Sequence, residues 1–278
     1  SRNLVSVRLL RSIGVDTAID YITRFGLKKS QLPRDLSLAL GSASIAPLEL
    51  ATGHAVFANG GYKVTPYFIS SIVDADGEVV FRAAPPLACK PVIRPPDADD
   101  SVPADPGGQS CEAPAAPAVI TPQNAYLMTS MMHDVIERGT GRRARELGRA
   151  DLAGKTGTTN DQRDAWFSGF NREIVTTVWV GFDKVQPLGR HETGGRAALP
   201  IWMSFMKTAL NGMPESTLPE PENMITVAID PATGLLARTD SDNAIEEIFR
   251  VDYVPEEFSE TPVSADTSPD AGFPELLF

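Results

Sequence analysis

The run Gly154-Lys155-Thr156-Gly157-Thr158-Thr159 sets an ammonium and three hydroxyls on a stretch whose glycines leave nothing to block an approaching backbone. Leu152 to Thr158 has the length and composition of a strand. Alternation then places Lys155, Gly157 and Thr159 on one face, with Thr156 and Thr158 on the other. An extended peptide can lie along the edge of such a strand and pair backbone to backbone. The ammonium and hydroxyls are suited to holding a carboxylate at that peptide's end. Lys-Thr-Gly is a common tripeptide, usually an exposed strand end, so alone it specifies no activity.

The composition of the chain bounds what that strand can serve. Of 278 residues, 42% are hydrophobic, enough for a substantial core. A formal net charge of -11 argues against a nucleic-acid binder, which needs a concentrated basic face. It fits a peptide or small-molecule substrate held by a few local cations. No apolar run is long enough to span a bilayer, and no signal-peptide pattern opens the chain. The sequence reads as a piece of a longer polypeptide. Its histidines, His54, His133 and His191, are scattered, and Cys89 and Cys111 lack metal-ligand spacing, so neither a metal nor another cofactor is expected. Both cysteines lie in one proline-dense stretch. They are either two exposed thiols or a disulfide that staples this loop, and a disulfide would require an oxidising compartment.

The elements that must position the strand follow from periodicity and punctuation. Residues 4–13 carry apolar positions at helical spacing up to Gly14, and Asp16 is placed to cap a second helix that ends at Gly26. A third helix opens at Pro47 and stops at Asn59-Gly60-Gly61. Tyr67–Val73 and Val79–Phe81 flank the turn signal Asp76-Gly77. Residues 84–118 turn to Pro, Ala, Asp and Gly and read as an inserted surface loop. Thr121-Pro122 opens a helix through Met128, Met131, Met132 and Ile136, its methionines read as core. Ala165–Phe170 and Ile174–Phe182 are expected to pair as a hairpin, and a last helix from Pro200 uses Trp202, Phe205, Met206 and Leu210. A further hairpin is expected over Ile225–Ala237, turning at residues 231–234, with a mostly flexible end from about Tyr253. Helices before and after antiparallel strands give an α/β (α+β) fold, not a doubly wound sheet.

Taken in order, these pieces resemble the class A penicillin-binding proteins, the bifunctional peptidoglycan synthases. The stretches that carry the resemblance are residues 1–8, Leu40-Gly41-Ser42, residues 47–51, Gly139-Thr140-Gly141, Lys155-Thr156-Gly157-Thr158, Asp164-Ala165-Trp166-Phe167 and residues 192–200. The resemblance spans roughly residues 1–212 and implies a penicillin-binding/β-lactamase-like transpeptidase fold, an antiparallel sheet flanked by helices. Residues 213–278 then form an acidic, Pro-rich extension. The family uses Ser-x-x-Lys, then Ser-x-Asn, then Lys-Thr-Gly. By resemblance Ser1 and Asn3 are the second element, Lys155, Thr156 and Gly157 the third, and Thr158 supplies an oxyanion-hole N–H. The first element is expected before residue 1, so this fragment is expected to lack its nucleophile.

What the resemblance implies is a D,D-transpeptidase that cross-links peptidoglycan stem peptides at a D-alanyl-D-alanine terminus and is acylated by β-lactams. It also implies an upstream glycosyltransferase domain, a membrane anchor and a site on the periplasmic face of the bacterial inner membrane. The partner of the strand is then the protein's own N-terminal segment, which carries the serine. A carboxypeptidase or β-lactamase-like hydrolase, or a non-catalytic module that binds D-alanyl peptides, shares the same residues. Ser204-Phe205-Met206-Lys207 and Ser241-Asp242-Asn243 also fit the serine motifs, but both follow Lys155 and are set aside as chance matches. Asp161, Arg163 and Asp164 read as a solvated loop with an Asp–Arg pair.

Overall fold

Helix α1 (Asn3–Ile13) ends where Gly14 takes a φ of 88°, a backbone conformation that costs glycine little. The computed structural model describes residues 2–91, 110–111, 114–238, 241 and 243–259. These fall into two units, Ser1–Glu220 and Pro221–Phe278. In the first, α2 (Val15–Ile22) follows Gly14 directly. Asp16 is therefore inside the first turn, where it pairs with Arg34 at 2.6 Å and does not cap the helix. A 3-10 turn (Thr23–Phe25) and a left-handed Gly26 complete the segment. Helix α3 (Pro47–Ala58) has proline at its first position and the Glu49 carboxylate accepting from Ala46 N–H.

The hairpin at Asp76-Gly77 is shorter than expected. Strand β1 (Ser71–Val73) pairs antiparallel with β2 (Val79–Arg82), while Tyr67–Ile69 stay outside the ladder. In the 84–118 segment, residues 92–109 and 112–113 lie outside the described residues. Its flanks are not loose. Cys89 is disulfide-bonded, β3 (Lys90–Pro91) runs parallel to β4 (Ser110–Cys111), and Ala116 N–H donates to Leu87 O. Cys89 and Ala116 are buried, while Ala84, Pro86, Leu87, Pro114, Pro117 and Ala118 stay exposed, so the described flanks are surface chain pinned at two points.

Helix α4 (Pro122–Glu137) is capped by Thr121, whose Oγ1 accepts from Asn124 N–H. Ala125, Met132 and Ile136 form its buried stripe, and Met128 and Met131 face outward. The central sheet consists of β5 (Ala153–Thr158), β6 (Asp164–Phe170) and β7 (Val175–Gly181), antiparallel in that order. Ala153 and Phe170 meet Ala58 of α3 and Met132 of α4 on one face. On the other, Phe167 packs with Leu199, Trp202 and Met206 of α5 (Leu199–Ala209).

Gly154 and Gly169 stand opposite each other across β5 and β6. A methyl on Gly169 would lie 2.7 Å from Trp202 Cζ2, and one on Gly154 would lie 2.8 Å from Phe167 Cζ. The paired glycines make room for the two rings, whose centroids are 4.9 Å apart, and Trp202 Nε1 donates to Gly169 O. Phe205, expected in this core, is 51% exposed because the buried stripe of α5 runs through 199, 202, 203 and 206.

In the second unit, β8 (Met224–Ile229) pairs with β9 (Ile245–Arg250), not with residues 235–237 as a regular strand. The turn at 230–234 does form. Asp230 Oδ1 accepts from Ala232 N–H, and beyond the turn Ile229 and Leu236 form a short antiparallel bridge flanked by Asp230 N–H to Leu235 O and Ala237 N–H to Ala228 O. Of the end expected to be flexible from about Tyr253, residues 257–259 are held in place by Leu236 N–H to Glu257 O and Ser259 N–H to Leu236 O, and residues from 260 on lie outside the described residues. Helices combined with antiparallel sheets make this an α+β fold. No helix among the described residues is long and apolar enough to cross a membrane.

Candidate active site

Among the described residues β5 is an edge strand of its sheet, with β6 on one side. The register confirms the alternation: Lys155 opposes Ser168, Thr156 opposes Phe167, Gly157 opposes Trp166 and Thr158 opposes Ala165. Lys155 is half-buried, and its Nζ donates to Thr156 O at 2.8 Å. Loss of solvent pushes its pKa below the ordinary lysine value.

The hydroxyl face of β5 is met by two loops. Thr140, just past α4, brings its Oγ1 to 2.6 Å from Thr156 Oγ1. Gly194 donates its N–H to Thr158 Oγ1 at 3.0 Å. Gly194 opens a single π-helical turn (Gly194–Ala198) that runs into α5, and only glycine fits there. A methyl would stand 2.2 Å from Trp166 O and 2.5 Å from Gly157 O. A methyl on Gly195 would lie 3.0 Å from Thr140 O. The two loops thus touch each other as well as the strand. Thr140 and Thr158 stay exposed and Thr156 half-exposed, so these hydroxyls remain accessible to a ligand. Such π-turns occur disproportionately at functional sites.

On the opposite face, the indoles of Trp166 and Trp179 lie 6.1 Å apart beside Gly157. Trp179 Nε1 donates to Asp164 Oδ1 at 2.8 Å, giving that carboxylate a structural task. The loop after β5 is closed by Thr159 Oγ1, which accepts from Arg163 N–H and Asp164 N–H. Asp161 and Gln162 take positive φ values of 58° and 50° there, and Gln162 Oε1 accepts from His191 N–H. Asp161 and Arg163 form an exposed pair at 3.2 Å, the solvated arrangement the sequence indicated.

Lys155, Thr156, Gly157 and Thr158 are therefore gathered on one accessible strand. Asn3 begins α1 with its side chain exposed, in a helix packed against α2 and the 3-10 turn Leu36–Leu40. Ser1 lies outside the described residues. Ser204 and Lys207 occupy the exposed side of α5. Ser241 sits in a turn in the second unit, and Asp242 lies outside the described residues. His54 is half-buried among rings beside Phe57 and Phe170, where loss of solvent pushes its pKa down, and His133 Nδ1 meets Leu152 O. Among the described residues no cluster of His, Cys, Asp and Glu could hold a metal ion. Thr140 and Gly194 are the contributions that motif reading did not assign. Both sit in the Gly-Thr-Gly and Thr-Gly-Gly stretches that stand out in the sequence, but only the contacts reveal their work.

The family model "Penicillin binding protein transpeptidase domain" matches residues 1–207, and the chain belongs to that family. The chain is 45% identical over 283 residues to penicillin-binding protein 1A of Pseudomonas aeruginosa, covering 94% of this chain and 34% of that protein. It is 44% identical over 225 residues to penicillin-binding protein 1A of Neisseria lactamica, covering 81% of this chain and 25% of that protein. Among solved structures, penicillin-binding protein 1A from Haemophilus influenzae superposes with a TM-score of 0.81 at 34% identity, covering 93% of this chain and 40% of that one. The chain thus spans about a third or less of the length of these curated relatives.

Proposed function

We propose that β5 is the substrate-binding edge of a peptidoglycan D,D-transpeptidase and that the chain works as part of a larger class A synthase. The observation that carries this reading is the accessible edge strand that bears Lys155, Thr156 and Thr158, with two loops holding the hydroxyls. A stem peptide ending in D-alanyl-D-alanine pairs along β5, and its terminal carboxylate meets the Lys155 ammonium and the threonine hydroxyls. A serine supplied by the segment preceding residue 1 attacks the penultimate carbonyl, its proton passing to a neighbouring neutral lysine. Thr158 N–H receives the oxyanion of the tetrahedral intermediate. D-Alanine then leaves with a proton relayed by Ser1, Asn3 holds the neighbouring lysine and the substrate amide, and an amine of a second stem peptide resolves the acyl-enzyme. Loss of one oxyanion donor in such a site costs about a hundredfold or more in rate.

A β-lactam carries the same carboxylate beside its reactive carbonyl and acylates the same serine. Placement on the periplasmic face of the inner membrane is part of this proposal, and the disulfide at Cys89 supports an oxidising compartment. Labelling with a fluorescent penicillin tests the reading. The intact protein should label at a single serine, and the fragment alone should not label at an active-site serine. An intact protein that stays unlabelled overturns the enzyme assignment.

A further inference from the structure

The two hydroxyls on β5 differ in how they are held. Thr158 Oγ1 already accepts a hydrogen bond from Gly194 N–H, so its own proton is left to donate outward. Thr156 Oγ1 has no backbone donor of this kind in its contact. Its partner is another hydroxyl, Thr140 Oγ1, at 2.6 Å, and either oxygen can be the donor. A carboxylate accepts hydrogen bonds and gives none, so Thr156 must donate to hold it. Only one arrangement satisfies both contacts: Thr140 donates to Thr156, and Thr156 donates to the carboxylate.

We infer that Thr140 is a positioning residue for the carboxylate of the substrate, setting the direction of the Thr156 hydroxyl as Gly194 sets that of Thr158. This rests on the transpeptidase reading and adds to it a residue outside the strand. The fit of the two loops supports it. Thr140 O stands against Gly195, and the glycines at 194 and 195 permit the approach, so both hydroxyl-setting groups are braced as one unit. The side chain of Thr140 is exposed at the strand, where it is free to respond to a ligand.

The test compares acylation of the intact protein by benzylpenicillin, which bears the carboxylate, and by its methyl ester, which does not. Thr140→Ala and Thr140→Val should each slow acylation by the acid by about tenfold, a hydrogen bond to a charged group, and change that by the ester less than about twofold. Thr140→Ser, which keeps the hydroxyl, should restore the acid rate. The acid-to-ester ratio is independent of the fraction of folded protein, so a partly unfolded variant still reports. Equal losses on acid and ester, or no loss with either variant, overturn the inference while leaving the transpeptidase reading intact. An unsubstituted protein that neither compound acylates overturns both.

Discussion

At the scale of single residues, Lys155 and Gly194 carry opposite kinds of constraint. Lys155 loses solvent on one side of β5, which lowers its pKa from the ordinary 10.5. The ammonium is the form that attracts a carboxylate, so this attraction is present at neutral pH and fades as pH rises through the lowered pKa. The acid-to-ester acylation ratio should therefore decline with a midpoint below 10.5, as read from second-order rate constants of the free protein. A ratio flat to 10.5 would show that Lys155 does not hold the carboxylate. Gly194 is fixed by space, with Trp166 O and Gly157 O within 2.5 Å of any added methyl. Gly194→Ala should destabilise the fold by about 1–3 kcal/mol, read by urea unfolding, because backbone atoms cannot yield as a flexible side chain can. Lys155 and the three residues after it were legible in the sequence because residue type and strand period suffice to place them. Thr140 was legible only as a motif, since nothing in the spacing of 140 and 156 says that their hydroxyls meet.

At the scale of elements, the sheet was read from sequence with few errors because each strand is bounded by its own turn chemistry. The Asn171-Arg172-Glu173 turn joins β6 and β7 as the alternating runs require, with Asn171 Oδ1 accepting from Glu173 N–H and Ile174 N–H. The expected hairpin at 225–237 forms only as a short pair around the Ile229–Leu236 bridge, for the complementary reason. Its turn is real, but the strand that fills the ladder, β9, arrives from further along the chain, and turn signals do not report non-local pairing. Helix faces show the same limit. Periodicity marks α4 and α5 as helices yet cannot say which methionine or phenylalanine of a broad apolar arc turns outward, as Met131 and Phe205 do. The Gly154–Gly169 pair gives a quantitative check on how α5 seats against the sheet. Gly169→Ala should cost about 1–3 kcal/mol by forcing the Trp202 ring aside. Combined with Trp202→Phe, which removes the colliding ring atoms, the loss should be smaller than the sum of the single losses, measured as a double-mutant cycle in urea. Additive losses would mean that Trp202 is not the obstacle.

At the scale of the whole molecule, a chain with a net charge of -11 keeps one of its carboxylates fully out of water, and that choice governs its response to acid. The Asp151 side chain is completely buried just before β5 and is held from three directions. Arg149 grips it with two nitrogens, Asn171 Nδ2 donates from the β6–β7 turn, and Ser216 N–H donates from beyond α5. Arg149 also reaches Met213 O and Pro214 O, so the network ties together segments far apart in sequence. Burial alone would raise the Asp151 pKa, but the donors outweigh it and hold the value below 3.8. A depressed folded-state pKa means that the charge stabilises the fold fully above the unfolded value of 3.8, and that this share is lost as pH falls through the folded value. Removing the carboxylate while Arg149 stays should cost up to about 3 kcal/mol, because the half-buried guanidinium loses its charged partner and keeps only the carbonyls of Met213 and Pro214. Asp151→Ala should therefore unfold at much lower urea than the parent at neutral pH, and the gap should narrow in acid below 3.8 as the parent's own carboxylate takes up its proton. A gap that persists unchanged into that range would mean that packing, not charge, is what Asp151 contributes to the frame that holds β5 in place.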